Sequence, residues 1–154
     1  MPLTSDTDIA RILDETRTVA LLGASHKSQR PSHRVMRFLL AQGYQVYPVN
    51  PGLAGQELLG CPVFARLEDI PGRIDMVDVF RQPKFLPQIV GAALDAGIGV
   101  LWTQLGVVHA EAIAAAEAAG MSVVADRCLA IELPRLQSLG LCRRSCRAES
   151  ASEA

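Results

Sequence analysis

The feature that most constrains this chain is the regular alternation of strand-like and helix-like segments along nearly its whole length. Short apolar runs alternate with segments whose apolar residues recur at helical spacing. This order predicts an α/β, Rossmann-like fold, doubly wound, with a mostly parallel sheet of about five to six strands and helices on both faces. The predicted strands cover residues 18–22, 46–49, 75–80, 100–102 and 122–125, with a short edge strand at 63–64.

Helical segments are predicted around these strands. Ser5 or Asp6 suits the cap of the first helix, and Pro31 suits the first turn of the second. Pro134 is expected to break or kink the last helix, because proline lacks an amide donor. The Gly- and Pro-rich segment 50–62 is predicted to be a loop. The helices are expected at about residues 5–15, 31–43, 85–97, 109–119 and 129–139.

The composition is that of one globular domain. The chain has 154 residues, of which 49% are hydrophobic and 20% are charged. A chain of this size can bury a sizeable core in a single domain. We predict one domain over residues 1–141, followed by a flexible tail over residues 142–154, where no apolar period is visible.

Charge and hydropathy argue against two classes of partner. The 15 Lys and Arg residues are balanced by 16 Asp and Glu residues, so a broad positive surface for nucleic acid is not expected. No apolar run reaches the roughly 18 residues of a membrane span, and the N-terminus lacks the pattern of a signal peptide. We predict a cytoplasmic protein that binds neither nucleic acid nor membrane. The protein partner is left open, with a homo-oligomer paired through the Ala-rich segment 112–119 as one alternative.

None of the cysteines falls in a CxxC pair, and their spacing indicates no disulfide framework in a chain of this size. The histidines are equally scattered, and no metal site is predicted. Cys128 follows Arg127 at a strand end, where positive charge favours the thiolate. A packed, unreactive Cys128 is the alternative interpretation. The cysteines are Cys61, Cys128, Cys142 and Cys146.

The segment between the first strand and the second helix is suited to bind phosphate. Gly23 allows a close backbone approach, the following helix presents unpaired amides, and Lys27 and Arg30 add positive charge. The alternative is an ordinary strand-to-helix turn with serine as the helix cap. The candidate residues here are Gly23, Ala24, Ser25, Lys27, Arg30 and Ser32.

The remaining strand ends do not match a nicotinamide site. The GxGxxG sequence is missing, and the second strand ends in the sequence Pro-Val-Asn-Pro at 48–51, without the carboxylate that binds the ribose of NAD. Other predicted strand ends carry an arginine, an indole, an amide and a thiol. These groups suit a ligand with phosphate, base and thiol parts, and Trp102 suits the core equally well. The residues concerned are Arg81, Trp102, Gln104 and Cys128.

Taken in order, six short motifs carry a resemblance to a known family. They are Gly-Ala-Ser at 23–25, Arg-Pro-Ser at 30–32, Pro-Val-Asn-Pro at 48–51, Val-Asp-Val-Phe-Arg at 77–81, Trp-Thr-Gln-Leu-Gly at 102–106 and Asp-Arg-Cys at 126–128. With these motifs, the chain resembles the small, stand-alone CoA-binding protein family, which is similar to the CoA-binding domain of the succinyl-CoA synthetase alpha subunit. The resemblance runs from about Asp8 to Leu136, and one departure is Leu129, where relatives carry proline.

The resemblance implies a Rossmann-like fold that binds coenzyme A or an acyl-CoA, with the phosphates at the Gly23 loop. It implies nucleotide contacts at Asn50, Pro51, Phe80 and Arg81, and pantetheine contacts at Trp102 and Gln104. It does not extend to the ligase reaction. Asp126 is the sole carboxylate at the predicted strand ends, so we predict binding without catalysis. The alternatives are an NAD(P)-binding oxidoreductase and a thiol-based carrier or redox sensor acting through Cys128.

Overall fold

The structure is a computed structural model that describes residues 1–143. Within that range, α-helices lie on both sides of a five-stranded sheet, and a two-stranded hairpin forms a second, separate sheet. The elements are α1 (Asp6–Glu15), β1 (Thr18–Leu22), α2 (Pro31–Ala41), β2 (Gln45–Val49), β3 (Glu57–Leu58), β4 (Cys61–Pro62), β5 (Met76–Val79), α3 (Leu86–Asp95), β6 (Val100–Thr103), α4 (Ala110–Ala118), β7 (Ser122–Val124) and α5 (Leu129–Ser138).

The main sheet is parallel, and its strand order is β2-β1-β5-β6-β7. From β1 the chain crosses to β2 on one side and later returns to β5 on the other, so the strand order reverses next to β1. At their carboxyl ends, Leu22 of β1 lies beside Val49 of β2 and Val79 of β5. In doubly wound sheets, ligands bind outside the carboxyl ends of the strands at such a reversal. The predicted Rossmann-like fold is confirmed.

The two faces of the sheet are covered by different helices. Because side chains alternate along a strand, Leu21 of β1 packs with the cluster of α1, α2 and α5, which includes Leu13 and Leu133. Ala20 of the same strand faces the cluster of α3 and α4, which includes Val90. Burial on both faces explains why the strands are continuous apolar runs rather than alternating ones.

The segment predicted to be a loop contains the hairpin of β3 and β4. The predicted edge strand at 63–64 is reduced to a single bridge, in which Phe64 pairs with Val49. The amide of Phe64 donates to the carbonyl of Pro48 at 3.0 Å, and the amide of Asn50 donates to the carbonyl of Phe64 at 2.9 Å. The hairpin and this bridge therefore flank the outer edge of β2.

The last helix runs through Pro134, so the predicted break there is wrong. An interior proline costs about 3 kcal/mol because its ring clashes with the preceding turn and one hydrogen bond is lost. Leu129, Leu133 and Leu136 are buried on the same helix, and each contributes about 1.5–3 kcal/mol. The burial of these three leucines thus outweighs the cost of a proline inside the helix.

The chain remains attached to the domain beyond residue 141, where the tail was predicted to begin. Cys142 is buried and its thiol lies 3.1 Å from a carboxylate oxygen of Asp14, while the amide of Arg143 donates to both carboxylate oxygens at 3.1 Å. Cys146 and the rest of the predicted tail lie outside the described residues. In residues 1–143, no helix has the length and apolar character needed to cross a membrane.

Candidate functional site

A crevice of about 730 Å3 opens at the carboxyl edge of the sheet, next to the point where the strand order reverses. The Gly23 loop and the first turn of α2 form one of its walls. The chain that follows β6, together with the start of α5, forms another. Of the residues predicted from sequence, the crevice brings together Gly23, Ala24, Ser25, Arg30, Ser32, Asn50, Phe80 and Gln104.

Gly23 holds the loop against the ends of two neighbouring strands. Its φ of 90° is in the left-handed region, which side chains disfavour. A Cβ atom on Gly23 would lie only 2.9 Å from the carbonyl oxygen of Phe80, and the Gly23 amide donates to the carbonyl of Val49 at 3.1 Å. Only glycine lets the backbone approach this closely.

Asn50 fixes the same loop from the end of β2. Its side-chain amide donates to the carbonyl of Ala24 at 2.7 Å, and its side-chain oxygen accepts from the amide of Gly52 at 2.8 Å. Both polar atoms are therefore used within the protein, and Asn50 shapes the wall of the crevice. Pro51 begins a short 3-10 turn outside the crevice lining.

The cationic side of the crevice is formed by α2. Arg30 precedes the first turn of this helix and Arg34 follows one turn later, so both line the crevice. No carboxylate of the described chain forms a salt bridge with either guanidinium. Sequence reasoning missed Arg34, although a spacing of four residues puts two side chains on one helix face. The two positive charges therefore stand beside the N-terminus of α2. The unpaired amides predicted there are largely absent, because Pro31 has no amide hydrogen and the amides of His33 and Arg34 donate to the carbonyl of Arg30 at 3.1 Å and 3.2 Å.

Two other predicted cations stand outside the crevice lining. The amide of Lys27 donates to the Ser25 hydroxyl at 3.1 Å, which tightens the loop. The guanidinium carbon of Arg81 lies 4.3 Å from the centre of the Phe85 ring, a distance suited to a cation–π interaction. This contact holds Arg81 beside the start of α3, next to Phe80 in the crevice wall.

The opposite side of the crevice is largely apolar. Gln104 is its main polar group, and its side-chain oxygen is buried without a hydrogen-bond partner in the described chain. Cys128 is the residue before α5 and also lines the crevice. Sequence reasoning missed the apolar lining, because nothing in the pattern separates these residues from the core. They are Val35, Leu105, Val107, Ala130 and Ile131.

Trp102 is a core residue and not part of the crevice lining. Its side chain is fully buried, and its indole nitrogen donates to the carbonyl of Arg127 at 2.9 Å. The expected direct contact with pantetheine would require the core to open. Through this hydrogen bond, Trp102 fixes the backbone just before Cys128 from the core side, and so it positions the crevice wall that Cys128 lines.

A network of ion pairs braces the start of α5. Arg127 and Arg135 both bond Glu132, and Arg135 also donates to Asp6 of α1 at 2.8 Å and 3.0 Å. Burial alone would raise the pKa of Glu132, but the hydrogen bonds from the two arginines hold it below its ordinary value. The hydrogen bond from Arg135 likewise lowers the pKa of Asp6.

Asp78 is a buried carboxyl group in the middle of the sheet. It is fully buried on β5, between Leu21 and Trp102, and neither carboxyl oxygen has a hydrogen-bond partner in the described residues. Burial raises the pKa of Asp78 well above its ordinary value, because the charged form loses its hydration. Sequence reasoning gave it no role beyond its place in the strand.

No group of three His, Cys, Asp or Glu side chains that could hold a metal ion occurs in the part of the chain that the structure describes. The crevice walls offer two cations at the N-terminus of α2, the side chain of Gln104 and apolar surface. Such a set can bind an anionic ligand with an apolar end.

Comparison with protein families gives a match to a family described as a CoA binding domain, over residues 17–134. An uncharacterized protein of Bacillus subtilis, YneT, is 34% identical over 127 residues, which cover 82% of this chain and 93% of that protein. The alpha subunit of the ADP-forming acetate–CoA ligase I of Pyrococcus furiosus is 30% identical over 89 residues. That match covers 55% of this chain but 19% of the ligase subunit.

Solved structures share the fold at higher identity. A hypothetical protein from Pyrococcus horikoshii is 40% identical with a TM-score of 0.84, over 89% of this chain and 96% of the other. A protein from Thermus thermophilus is 41% identical with a TM-score of 0.83, over 86% of this chain and 99% of the other. These neighbours are about the size of this domain.

Proposed function

The chain belongs to the CoA-binding domain family, and from that premise we propose that it binds coenzyme A or an acyl-CoA in the crevice at the carboxyl edge of the sheet. The observation that carries the proposal is the pair of arginines without carboxylate partners, Arg30 and Arg34, beside the Gly23 loop and the first turn of α2. Coenzyme A is a polyanion at its nucleotide end, and a helix N-terminus with arginines is a favourable site for phosphate.

The remaining candidate residues are assigned by their place in the wall. Phe80 supports the nucleotide side as apolar surface, and Arg81 adds positive charge nearby. Asn50 and Pro51 act through the shape of the loop, since the side-chain amide of Asn50 is already bonded to Ala24. On the pantetheine side, Gln104 lines the crevice, and its buried, unpartnered side-chain oxygen would accept a hydrogen bond from a pantetheine amide if the side chain turned towards the ligand. The role of Trp102 is indirect, through the Arg127 carbonyl.

We propose binding without catalysis. The residues that line the crevice include no aspartate, glutamate or histidine within the described chain. The side chains that most often transfer protons in enzymes are therefore missing from the described lining. A protein that binds without reacting is expected to release its ligand chemically unchanged. Incubation with acetyl-CoA, followed by mass spectrometry, should recover the intact thioester.

Calorimetric titration of the full chain with coenzyme A tests the proposal. We expect saturable binding, and we expect Arg30→Ala to weaken it about tenfold to a hundredfold, because a hydrogen bond to a charged group contributes about 1.5–3 kcal/mol. Arg37→Ala is the matched control, since Arg37 is exposed on the same helix but outside the crevice lining. Equal effects of the two substitutions would contradict a phosphate site at the start of α2.

The alternative ligands are tested in the same assay. Tighter binding of NADH or NADPH than of coenzyme A would favour the oxidoreductase. Cys128 lines the crevice, which supports the thiol alternative. If that alternative holds, the disulfide of coenzyme A should exchange with the Cys128 thiolate, forming a mixed disulfide and releasing one coenzyme A thiol. Intact mass analysis of the wild-type chain and of Cys128→Ser would detect that adduct.

A further inference from the structure

A second cavity adjoins the crevice at its apolar end. Its volume is about 360 Å3, and Leu105, Cys128 and Ile131 line both spaces. On another side, the second cavity is bounded by residues 2–4. The amide of Leu3 donates to the carbonyl of Val123 at 2.7 Å, so this N-terminal segment is held beside β7. The crevice and the second cavity therefore adjoin at Leu105 and Ile131, and the proposed CoA contacts leave the second cavity unused.

The junction between the two cavities is apolar and accessible. Leu105 is 54% exposed and Ile131 is 56% exposed. Single exposed apolar side chains are common, but these two line the same pair of cavities. Apolar surface gathered along a concave path is typical of a site for an apolar ligand group.

The charged residues of the second cavity are already paired. Asp126 accepts a hydrogen bond from the amide of Gly106 at 2.7 Å, and Arg127 is bonded to Glu132. The lining thus holds two acidic groups and one basic group, and the basic group is occupied. A ligand that ends in a carboxylate would meet negative charge there without a free cation to bind it.

We propose that this second cavity holds the acyl group of a CoA thioester, and that the acyl group is an uncharged straight chain of a few carbons. The inference rests on the proposed function. With the phosphates at Arg30 and Arg34, the thiol end of coenzyme A extends towards Leu105 and Ile131. A group attached to the sulfur then continues past these side chains into the second cavity.

Titration of the full chain with coenzyme A, acetyl-CoA, butyryl-CoA, hexanoyl-CoA and succinyl-CoA tests this inference. We expect affinity to rise about twofold to fourfold for each methylene that enters the cavity. Succinyl-CoA is expected to bind no more tightly than acetyl-CoA, because its terminal carboxylate would meet Asp126 while the guanidinium of Arg127 is already bonded to Glu132.

Two tryptophan substitutions locate the acyl group. Thr4 is exposed and lines the second cavity but not the crevice. We expect Thr4→Trp to fill the cavity and remove the dependence on chain length, with the affinity for free coenzyme A unchanged. Thr7→Trp is the control, since Thr7 is exposed outside both linings. A thermal midpoint close to that of the wild type confirms that each variant is folded.

The results separate this inference from the proposed function. Binding of coenzyme A with no gain from butyryl or hexanoyl chains would overturn the acyl site and leave CoA binding intact. An undiminished gain in Thr4→Trp, or tightest binding of succinyl-CoA, would overturn it as well. Failure of every CoA compound to bind would overturn the proposed function itself.

Discussion

Replacing Gly23 with alanine is expected to damage the loop in two separable ways. An alanine at a φ of 90° costs about 1–2 kcal/mol, because its Cβ crowds the following carbonyl. The new Cβ would also lie 2.9 Å from the carbonyl oxygen and 3.0 Å from the carbonyl carbon of Phe80. Relieving such an overlap in a packed region costs about 1–3 kcal/mol more. The total destabilisation is therefore about 2–5 kcal/mol.

Gly97→Ala is the matched control. Gly97 has a φ of 74°, and a Cβ there would meet no atom within 4 Å. It carries the backbone penalty alone, about 1–2 kcal/mol. The smaller entropy of the unfolded alanine chain stabilises both variants alike, so it cancels in the comparison. The difference between the two variants isolates the close approach of Gly23 to β5.

Thermal unfolding monitored by circular dichroism measures this difference. For a domain of this size, 1 kcal/mol corresponds to about 2–4 °C, so Gly23→Ala should melt about 2–12 °C below Gly97→Ala. Gly97→Ala should keep wild-type affinity for coenzyme A, and Gly23→Ala should lose it. Equal melting temperatures for the two variants would refute the close-approach argument.

Three further predictions follow from buried groups. Because the pKa of Asp78 is raised in the folded protein, its carboxyl group ionises in the unfolded chain at a lower pH than in the folded one. The free energy of unfolding of the wild type, relative to that of Asp78→Asn, should therefore fall by about 1.4 kcal/mol per pH unit above about pH 4, until the folded-state pKa is reached. Chemical denaturation at several pH values measures that slope, and parallel curves for the two proteins would contradict it. The pKa of Glu132 is lowered, so its effect on stability has the opposite pH dependence. Glu132→Gln should reduce the free energy of unfolding by about 1–3 kcal/mol at pH 7 and by progressively less as the pH falls below about 4. A loss of stability that persists at pH 2 would exclude the ion pairs as its source. Trp102 is the one tryptophan of the chain and is fully buried, so its emission should be blue-shifted and change little when coenzyme A binds; strong quenching by the ligand would show direct contact.

The sequence was sufficient for the fold and for locating the Gly23 loop, which forms one wall of the crevice. The spacing of apolar residues that predicts strands and helices can be read from neighbouring positions in the sequence. The Gly23 loop was identified for the same reason, since its residues are consecutive. The apolar side was not identified, because Leu105 and Ile131 come from separate segments and have no distinguishing chemistry. Trp102 was ambiguous, since its exposure depends on how the ends of β6 and α5 pack. The alternative of a helix break at Pro134 was wrong, because burial of neighbouring leucines, a tertiary effect, outweighed the local preference of proline.

The ion pair between Asp6 and Arg135 has a consequence for synthesis of the protein. It joins two residues that are 129 positions apart, and the helices that carry them, α1 and α5, share one side of the core. At about 5–20 residues per second, a ribosome needs roughly 6–23 seconds to pass from the end of α1 to the start of α5. During that time the apolar face of α1 has no α5 to pack against. The nascent chain therefore completes this half of its core only after α5 has been synthesised, and a ribosome stalled before α5 would hold an unfinished domain.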